Sequence, residues 1–180
     1  RYSLVFIAAI LAFDTAWAQE PNSYVYVESN IASVPGRNSV FAFTNDGLGN
    51  LTALAGSPYL TGGTGVSVSG SSEINADQEV TANPHGNAIY AGNGHTNSIA
   101  AFAVNADGTL TTLAGSPYPS EGQNPVSIGL SGRFLVVANK NFDPGQDIAG
   151  HVPNYTTFSV RREGRRRLDP GYTLDLAATR

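Results

Sequence analysis

The sequence predicts an all-β fold: a β-propeller of about three four-stranded antiparallel blades, forming an incomplete ring. Three observations carry this expectation. The stretch Asn38-Ser39-Val40-Phe41-Ala42-Phe43, running on to Leu54-Ala55-Gly56-Ser57-Pro58-Tyr59, returns 59 residues later without a gap, as Asn97-Ser98-Ile99-Ala100-Ala101-Phe102 and Leu113-Ala114-Gly115-Ser116-Pro117-Tyr118. Self-similarity at a fixed period marks a repeat architecture. Short runs of strand formers alternate with Asp-Gly and Gly-Ser-Pro breaks, the pattern of hairpin-connected strands. Charged residues make up only 13% of the chain and there are 20 glycines, which favours many short strands over long helices.

The elements follow in chain order. Residues 1–18 read as a secretory signal: Arg1 precedes an apolar run from Leu4 to Phe13, and Ala16-Trp17-Ala18 supplies the small-x-small pattern of a cleavage site. That run is too short to span a bilayer as a helix, so no transmembrane anchor is expected. Residues 19–180 read as the partial propeller domain. Tyr24 to Val27, Ala88 to Ala91 and Phe134 to Val137 are equivalent β-rich runs leading to Asn30, Asn93 and Asn139. Val40 to Thr44 and Ile99 to Val104 make the next strand, with Phe43 and Phe102 on one face. Asn105-Ala106-Asp107-Gly108 reverses the chain as a hairpin turn, with glycine supplying the positive φ. Leu51 to Leu54 and Leu110 to Leu113 return, closed by Gly-Ser-Pro. A fainter fourth strand lies at Glu79 to Ala82 and at Val126 to Leu130. The Gly/Ser-rich segment from Gly62 to Asp77 lengthens one unit, and the loop from Lys140 to Pro153 lengthens another.

The third unit continues with Tyr155 to Val160, where Phe158, Gly164 and Gly171 each follow Phe102, Gly108 and Gly115 by 56 residues. Beyond Val160 the pattern frays, and Arg166 stands where the repeat has Leu110. About 160 residues after the signal suffice for roughly three blades, whereas closed propellers have typically 4–8. Two blade faces are therefore left for the missing blades of the same chain, or another copy, to cover.

Composition excludes several functions. The net charge is -4, and residues 1–160 carry 4 basic and 11 acidic side chains, so no nucleic-acid partner is expected. The basic excess sits in Arg161, Arg162, Arg165, Arg166 and Arg167, which read as a solvated or disordered tail, or as a corrupted end of the reading frame. There is no cysteine, which removes disulfides, thiolate zinc sites and a cysteine nucleophile together. His85, His95 and His151 are too scattered for a metal site, and no cofactor is expected. Pro125-Val126-Ser127-Ile128-Gly129 lacks the first glycine of a nucleophile elbow. Gly62-Gly63-Thr64-Gly65 has the composition of an anion cradle but lacks a following helix or lysine, and reads as a flexible loop. Asn105 to Gly108 resembles the start of a calcium loop without its closing glutamate.

Asn97 to Phe102, Asn105-Ala106-Asp107-Gly108-Thr109-Leu110, Leu113 to Tyr118 and Ser131-Gly132-Arg133-Phe134-Leu135-Val136-Val137-Ala138-Asn139 together resemble the seven-bladed β-propeller lactonase family, which includes 6-phosphogluconolactonase-type proteins. The resemblance runs from about Ser23 to Leu176 and weakens past Val160. It implies a seven-bladed ring, of which this chain is an N-terminal fragment, and in some family members hydrolysis of a lactone. These are blade-building motifs. The segment associated with the family's active site, a histidine leading into a proline and an aspartate-rich strand, belongs to later blades. Ala82-Asn83-Pro84-His85-Gly86 aligns instead with an ordinary inter-strand turn. No catalytic residue carries over.

Geometry points to the end of the propeller built from the loops between second and third strands and between blades. His95, Lys140, Asp143, Asp147 and His151 fall on those loops, and Lys140 is the chain's single lysine. Two functions stay open for an exported, periplasmic or extracellular propeller. One is hydrolysis of a small sugar lactone by the full-length protein; the other is non-enzymatic binding of a carbohydrate, peptide or cell-surface partner.

Overall fold

The computed structural model describes residues 23–66, 80–140, 152–161 and 167–175. Residues 1–18, most of the stretch from Gly62 to Asp77, and Gly164 and Arg166 lie outside them. The described strands form three antiparallel sheets. The first holds β1 (Ser23–Glu28), β2 (Ser39–Asn45) and β3 (Leu51–Ala53), with β4 (Tyr59–Leu60) also on β2. The second runs β5 (Val80–Ala82), β6 (Ala88–Asn93), β7 (Ser98–Val104) and β8 (Leu110–Thr112), with β9 (Tyr118–Pro119) also on β7. The third runs β10 (Pro125–Ser131), β11 (Phe134–Asn139), β12 (Asn154–Arg161) and β13 (Arg167–Asp175). Each sheet is one blade, as the sequence predicts.

The internal repeat is reproduced bond by bond. The bounds of β2, β3 and β4 shifted by 59 residues are those of β7, β8 and β9. Leu54 N donates to Ala42 O as Leu113 N does to Ala101 O, both at 2.9 Å. One detail escapes the sequence. The strand that Gly-Ser-Pro appears to end resumes after a bulge, and Tyr118-Pro119 pairs with Ile99 and Ser98. The bulge takes the returning chain away from Ala42 and Ala101, whose N–H groups donate instead to Ser57 Oγ at 3.0 Å and Ser116 Oγ at 2.8 Å. That pairing explains why serine stands there: a backbone donor lifted out of the ladder needs another acceptor. The prolines that follow, joined through cis Ser57-Pro58 and Ser116-Pro117 bonds, have no N–H to satisfy.

Blades stack through two apolar layers. Between the first and second lie Val40, Ile89, Ala91, Ala100, Phe102 and Leu110, with Tyr26 and Tyr59 at the margin. Between the second and third lie Tyr90, Ile99, Ala101, Tyr118, Ile128, Leu135, Val137 and Phe158. Period-two alternation sends neighbouring residues of β6 and β7 to opposite layers, so all six residues of β6 are buried. Burial of each large side chain stabilises the stack by roughly 2–3 kcal/mol. Turns add to the first seam. Tyr26 Oη donates to Gly108 O at 2.7 Å and Tyr24 Oη to Ala106 O at 3.3 Å, tying the Asn105–Gly108 hairpin to the first blade. Burial, then the neighbouring Tyr24, Tyr59 and Asp107, pushes the Tyr26 phenol up to about 12.

Two expected equivalences shift. Asn93 pairs with Ser98, and its counterpart by register is Ser29, whose N–H donates to Ser39 O at 2.9 Å; Asn30 is one residue further on. Gly171 lies within β13, where the register shifts between the Thr156–Thr173 and Phe158–Pro170 pairs, whereas Gly115 lies between β8 and β9.

Candidate functional site

Antiparallel pairing gathers the β1–β2, β6–β7 and β11–β12 loops and the inter-blade segments at one end of the blades. The segment Thr61 to Val66 is no flexible loop. It is buried except at Gly62, and five of its six amides are committed: Thr61 N to Asn38 O (2.9 Å), Gly63 N to Thr61 Oγ1 (3.3 Å), Thr64 N to Thr96 Oγ1 (3.1 Å), Gly65 N to Ile31 O (2.9 Å) and Val66 N to Asn30 Oδ1 (2.8 Å). With those donors spent within the protein, the segment has no amide cradle to offer an anion. It is a tether between blades, and its glycines let it pass against Asn93 and Asn30.

Beneath the tether runs a buried polar seam. Asn38 Nδ2 donates to Glu28 Oε1 at 2.7 Å, Asn93 Oδ1 at 3.0 Å and Gly92 O at 3.3 Å. Asn93 Oδ1 also accepts from Thr61 Oγ1 at 2.6 Å, and Asn93 Nδ2 donates to Ser98 Oγ at 3.2 Å. The next seam repeats the plan with Asn139, whose Nδ2 donates to Asn154 Oδ1 at 2.8 Å and to Ser120 O at 3.1 Å. There Ser120 Oγ turns to Gly122 O at 2.9 Å, and buried Asn139 Oδ1 and Gln123 Nε2 have no hydrogen-bond partner among the described residues. A buried acceptor and donor left this way suit a water molecule.

The structure brings two of the five expected site residues to this end. Half-buried His95 is anchored through its backbone N–H to Thr64 O at 3.2 Å, and half-buried Lys140 through its backbone N–H to Asn124 O at 3.0 Å. They follow Asn93 and Asn139 and so mark consecutive seams. Asp143, Asp147 and His151 lie outside the described residues. No group of acidic or histidine side chains suited to a metal occurs among the described residues.

Glu28 was missed in the sequence. Burial pushes its carboxyl up to about 8, against hydrogen bonds from the Asn38 side chain and the Gly92 backbone that pull it down. The available signal was its departure from the repeat, since the equivalent positions by register are Gly92 and Ala138. At the opposite end a cleft of about 1210 Å³ opens between the second and third blades, lined by Asn83, His85, Asn87, Tyr90, Arg133 and Phe134 among others. His85 and Arg133 are exposed there. The loop-bearing end, with buried and oriented polar groups, is the better candidate.

A family model, that of the seven-bladed β-propeller lactonases, matches residues 23–145. No curated protein matches the chain. Among solved structures it is similar to a candidate 6-phosphogluconolactonase from Bacteroides uniformis, at 21% identity and TM-score 0.57, covering 84% of this chain and 37% of that one. It is also similar to a candidate 6-phosphogluconolactonase from Bacteroides fragilis, at 15% identity and TM-score 0.55, over 87% of this chain and 37% of that one. A third is the periplasmic gluconolactonase of Pseudomonas aeruginosa, at 18% identity and TM-score 0.53, over 84% of this chain and 39% of that one. At such identities these likenesses speak for the fold. The chain spans little more than a third of the length of each.

Proposed function

Because the chain belongs to the seven-bladed β-propeller lactonase family, we propose that the full-length protein is an exported enzyme that hydrolyses a sugar lactone. The family match over residues 23–145 carries the reading. Export is supported by the apolar run Leu4 to Phe13 with Ala16-Trp17-Ala18 behind it, and it favours a neutral sugar lactone over a phosphorylated one confined to the cytoplasm. In the reaction a water oxygen adds to the lactone carbonyl, a base takes its proton, and the ring C–O bond breaks as the leaving oxygen is protonated. The site needs a general base and a donor for the developing oxyanion. Among the described residues, His95 and Lys140 are the groups this chain brings to the loop-bearing end; the other blades of the ring contribute the rest.

The test is hydrolysis of glucono-δ-lactone and its 6-phosphate by the purified full-length protein, measured against spontaneous opening. Turnover of glucono-δ-lactone is expected, and in the full-length protein His95→Ala is expected to lower kcat/KM about 100-fold. A full-length protein that binds sugars or surface glycans but turns over neither lactone would overturn the reading in favour of a binding propeller. The 180-residue chain alone is expected to show no turnover, and detectable hydrolysis by it would refute that expectation.

A further inference from the structure

We propose that Glu121 is a ligand-binding residue at the loop-bearing end, its carboxylate accepting hydrogen bonds from ring hydroxyls of a sugar lactone; this rests on the lactone-hydrolase reading. The two inter-blade tethers differ at this position. Ser120 to Asn124 repeats Thr61 to Gly65 at the 59-residue period, and the tethers enter alike, Thr61 N donating to Asn38 O and Ser120 N to Asn97 O, each at 2.9 Å. The next residue is exposed and left-handed in both, with φ 77° at Gly62 and 59° at Glu121. Glycine takes that conformation freely, whereas a Cβ there crowds the following carbonyl oxygen. The other non-glycine residues of positive φ among the described residues are Asn30, Asn97 and Asn124, a type whose short polar side chain tolerates it. Glu121 is the departure.

No bond of its side chain offsets that strain: among the described residues the Glu121 carboxylate has neither hydrogen bond nor ion pair. The fold uses the backbone instead. Asn154 Nδ2 donates to Glu121 O at 3.3 Å, and Asn124 N donates to Asn97 Oδ1 at 2.8 Å. The tether also replaces Thr64, whose Oγ1 accepts from Gly36 N at 2.8 Å, with Gln123, whose buried Nε2 has no partner among the described residues. Both polar replacements thus leave hydrogen-bonding capacity unspent at the second seam. Gln123 is sealed from solvent and suits water; Glu121 is open to solvent and suits a ligand. Backbone strain held in place by the surrounding structure is a mark of ligand clamps. An ionised carboxylate accepts through two oxygens and donates nothing, so its complement is a pair of neighbouring hydroxyls, as a sugar ring carries. Lys140, anchored to Asn124 O, borders the same seam, and Glu121 adds a third group to the His95 and Lys140 of this end.

Two substitutions test it. In the full-length protein Glu121→Gln is expected to raise KM for glucono-δ-lactone about 10-fold, the loss of a charge-assisted hydrogen bond, with kcat within about 2-fold. In the 180-residue chain Glu121→Gly is expected to lower the urea-unfolding constant about 3- to 10-fold, because glycine relieves the left-handed backbone. A side chain that holds the fold together would do the reverse, and a less stable Glu121→Gly chain would overturn the proposal. An unchanged KM in a protein whose wild type turns over the lactone overturns it too, and leaves the lactonase reading standing. A wild type without turnover overturns that reading instead, and equilibrium binding of D-glucose then decides for Glu121. Binding weakened about 10-fold by Glu121→Gln supports the hydroxyl contact; equal binding, or none by the wild type, overturns it.

Discussion

Gly63→Ala is expected to destabilise the chain by about 3 kcal/mol, the upper part of the range for overpacking a rigid site. A Cβ at Gly63 would lie 2.3 Å from Asn93 Cγ and 2.5 Å from both Asn93 Nδ2 and Thr96 Oγ1. Asn93 has nowhere to go. It is fully buried and held by Asn38, Thr61 and Ser98 at once. Gly122, 59 residues on, repeats the conflict: its Cβ would lie 2.6 Å from Asn139 Cβ and Cγ and from Asn154 Oδ1. Gly122→Ala should therefore cost a similar amount. Gly129→Ala is the control, since nothing lies within 4 Å of its Cβ position and its backbone is not left-handed. There the change should be under about 1 kcal/mol and in the stabilising direction. Urea midpoints followed by far-ultraviolet circular dichroism measure all three. Equal midpoints for Gly63→Ala and Gly129→Ala would mean that the tether does not press on the asparagine seam.

The blade plan was legible because a sheet's chemistry is local. Strand pairing within a blade joins neighbouring stretches of chain, as β7 pairs with β8 and β9, so duplication of the sequence duplicates the structure. The corner itself was misjudged: proline read as a terminator, whereas the chain bulges and then resumes pairing at Tyr118. Serine at positions 57 and 116 held the clue, since its hydroxyl replaces the carbonyl that the bulge withdraws from Ala42 and Ala101.

The seam was harder to see because its partners are distant. Asn38 meets Asn93 across 55 residues and Glu28 reaches Gly92 across 64, spans no periodicity connects. Gly62-Gly63-Thr64-Gly65 showed glycine's freedom but not the asparagine pressed against it. The loop-end placement of His95 and Lys140 did follow from strand order alone, because alternating strand direction fixes which loops share an end. What they act on does not follow from strand order, since a propeller's ligand is met by several blades at once and this chain spans little more than a third of the solved rings it resembles.

Phe102→Ala and Phe43→Ala should differ by several kcal/mol although the two positions are repeat equivalents. Phe102 is fully buried between the first two blades among Val40, Ile89, Ala100 and Leu110, and its truncation should cost about 3–5 kcal/mol. Phe43 lies on the matching face of the first blade, half-exposed, with its ring 6.4 Å from that of Phe41. Its neighbours are exposed in the same way: Leu51 is 49% exposed where its equivalent Leu110 is 7%, and Val27 is 48% exposed where Ala91 is 0%. With its face only partly covered, Phe43→Ala should cost only about 1 kcal/mol in the 180-residue chain. In a closed ring another blade covers that face, and the cost should rise to the Phe102 value. The pair thus measures ring closure by folding energy alone. A Phe43→Ala loss as large as that of Phe102→Ala in the 180-residue chain would mean the face is already covered in solution; equally small losses would mean the first two blades do not pack through Phe102.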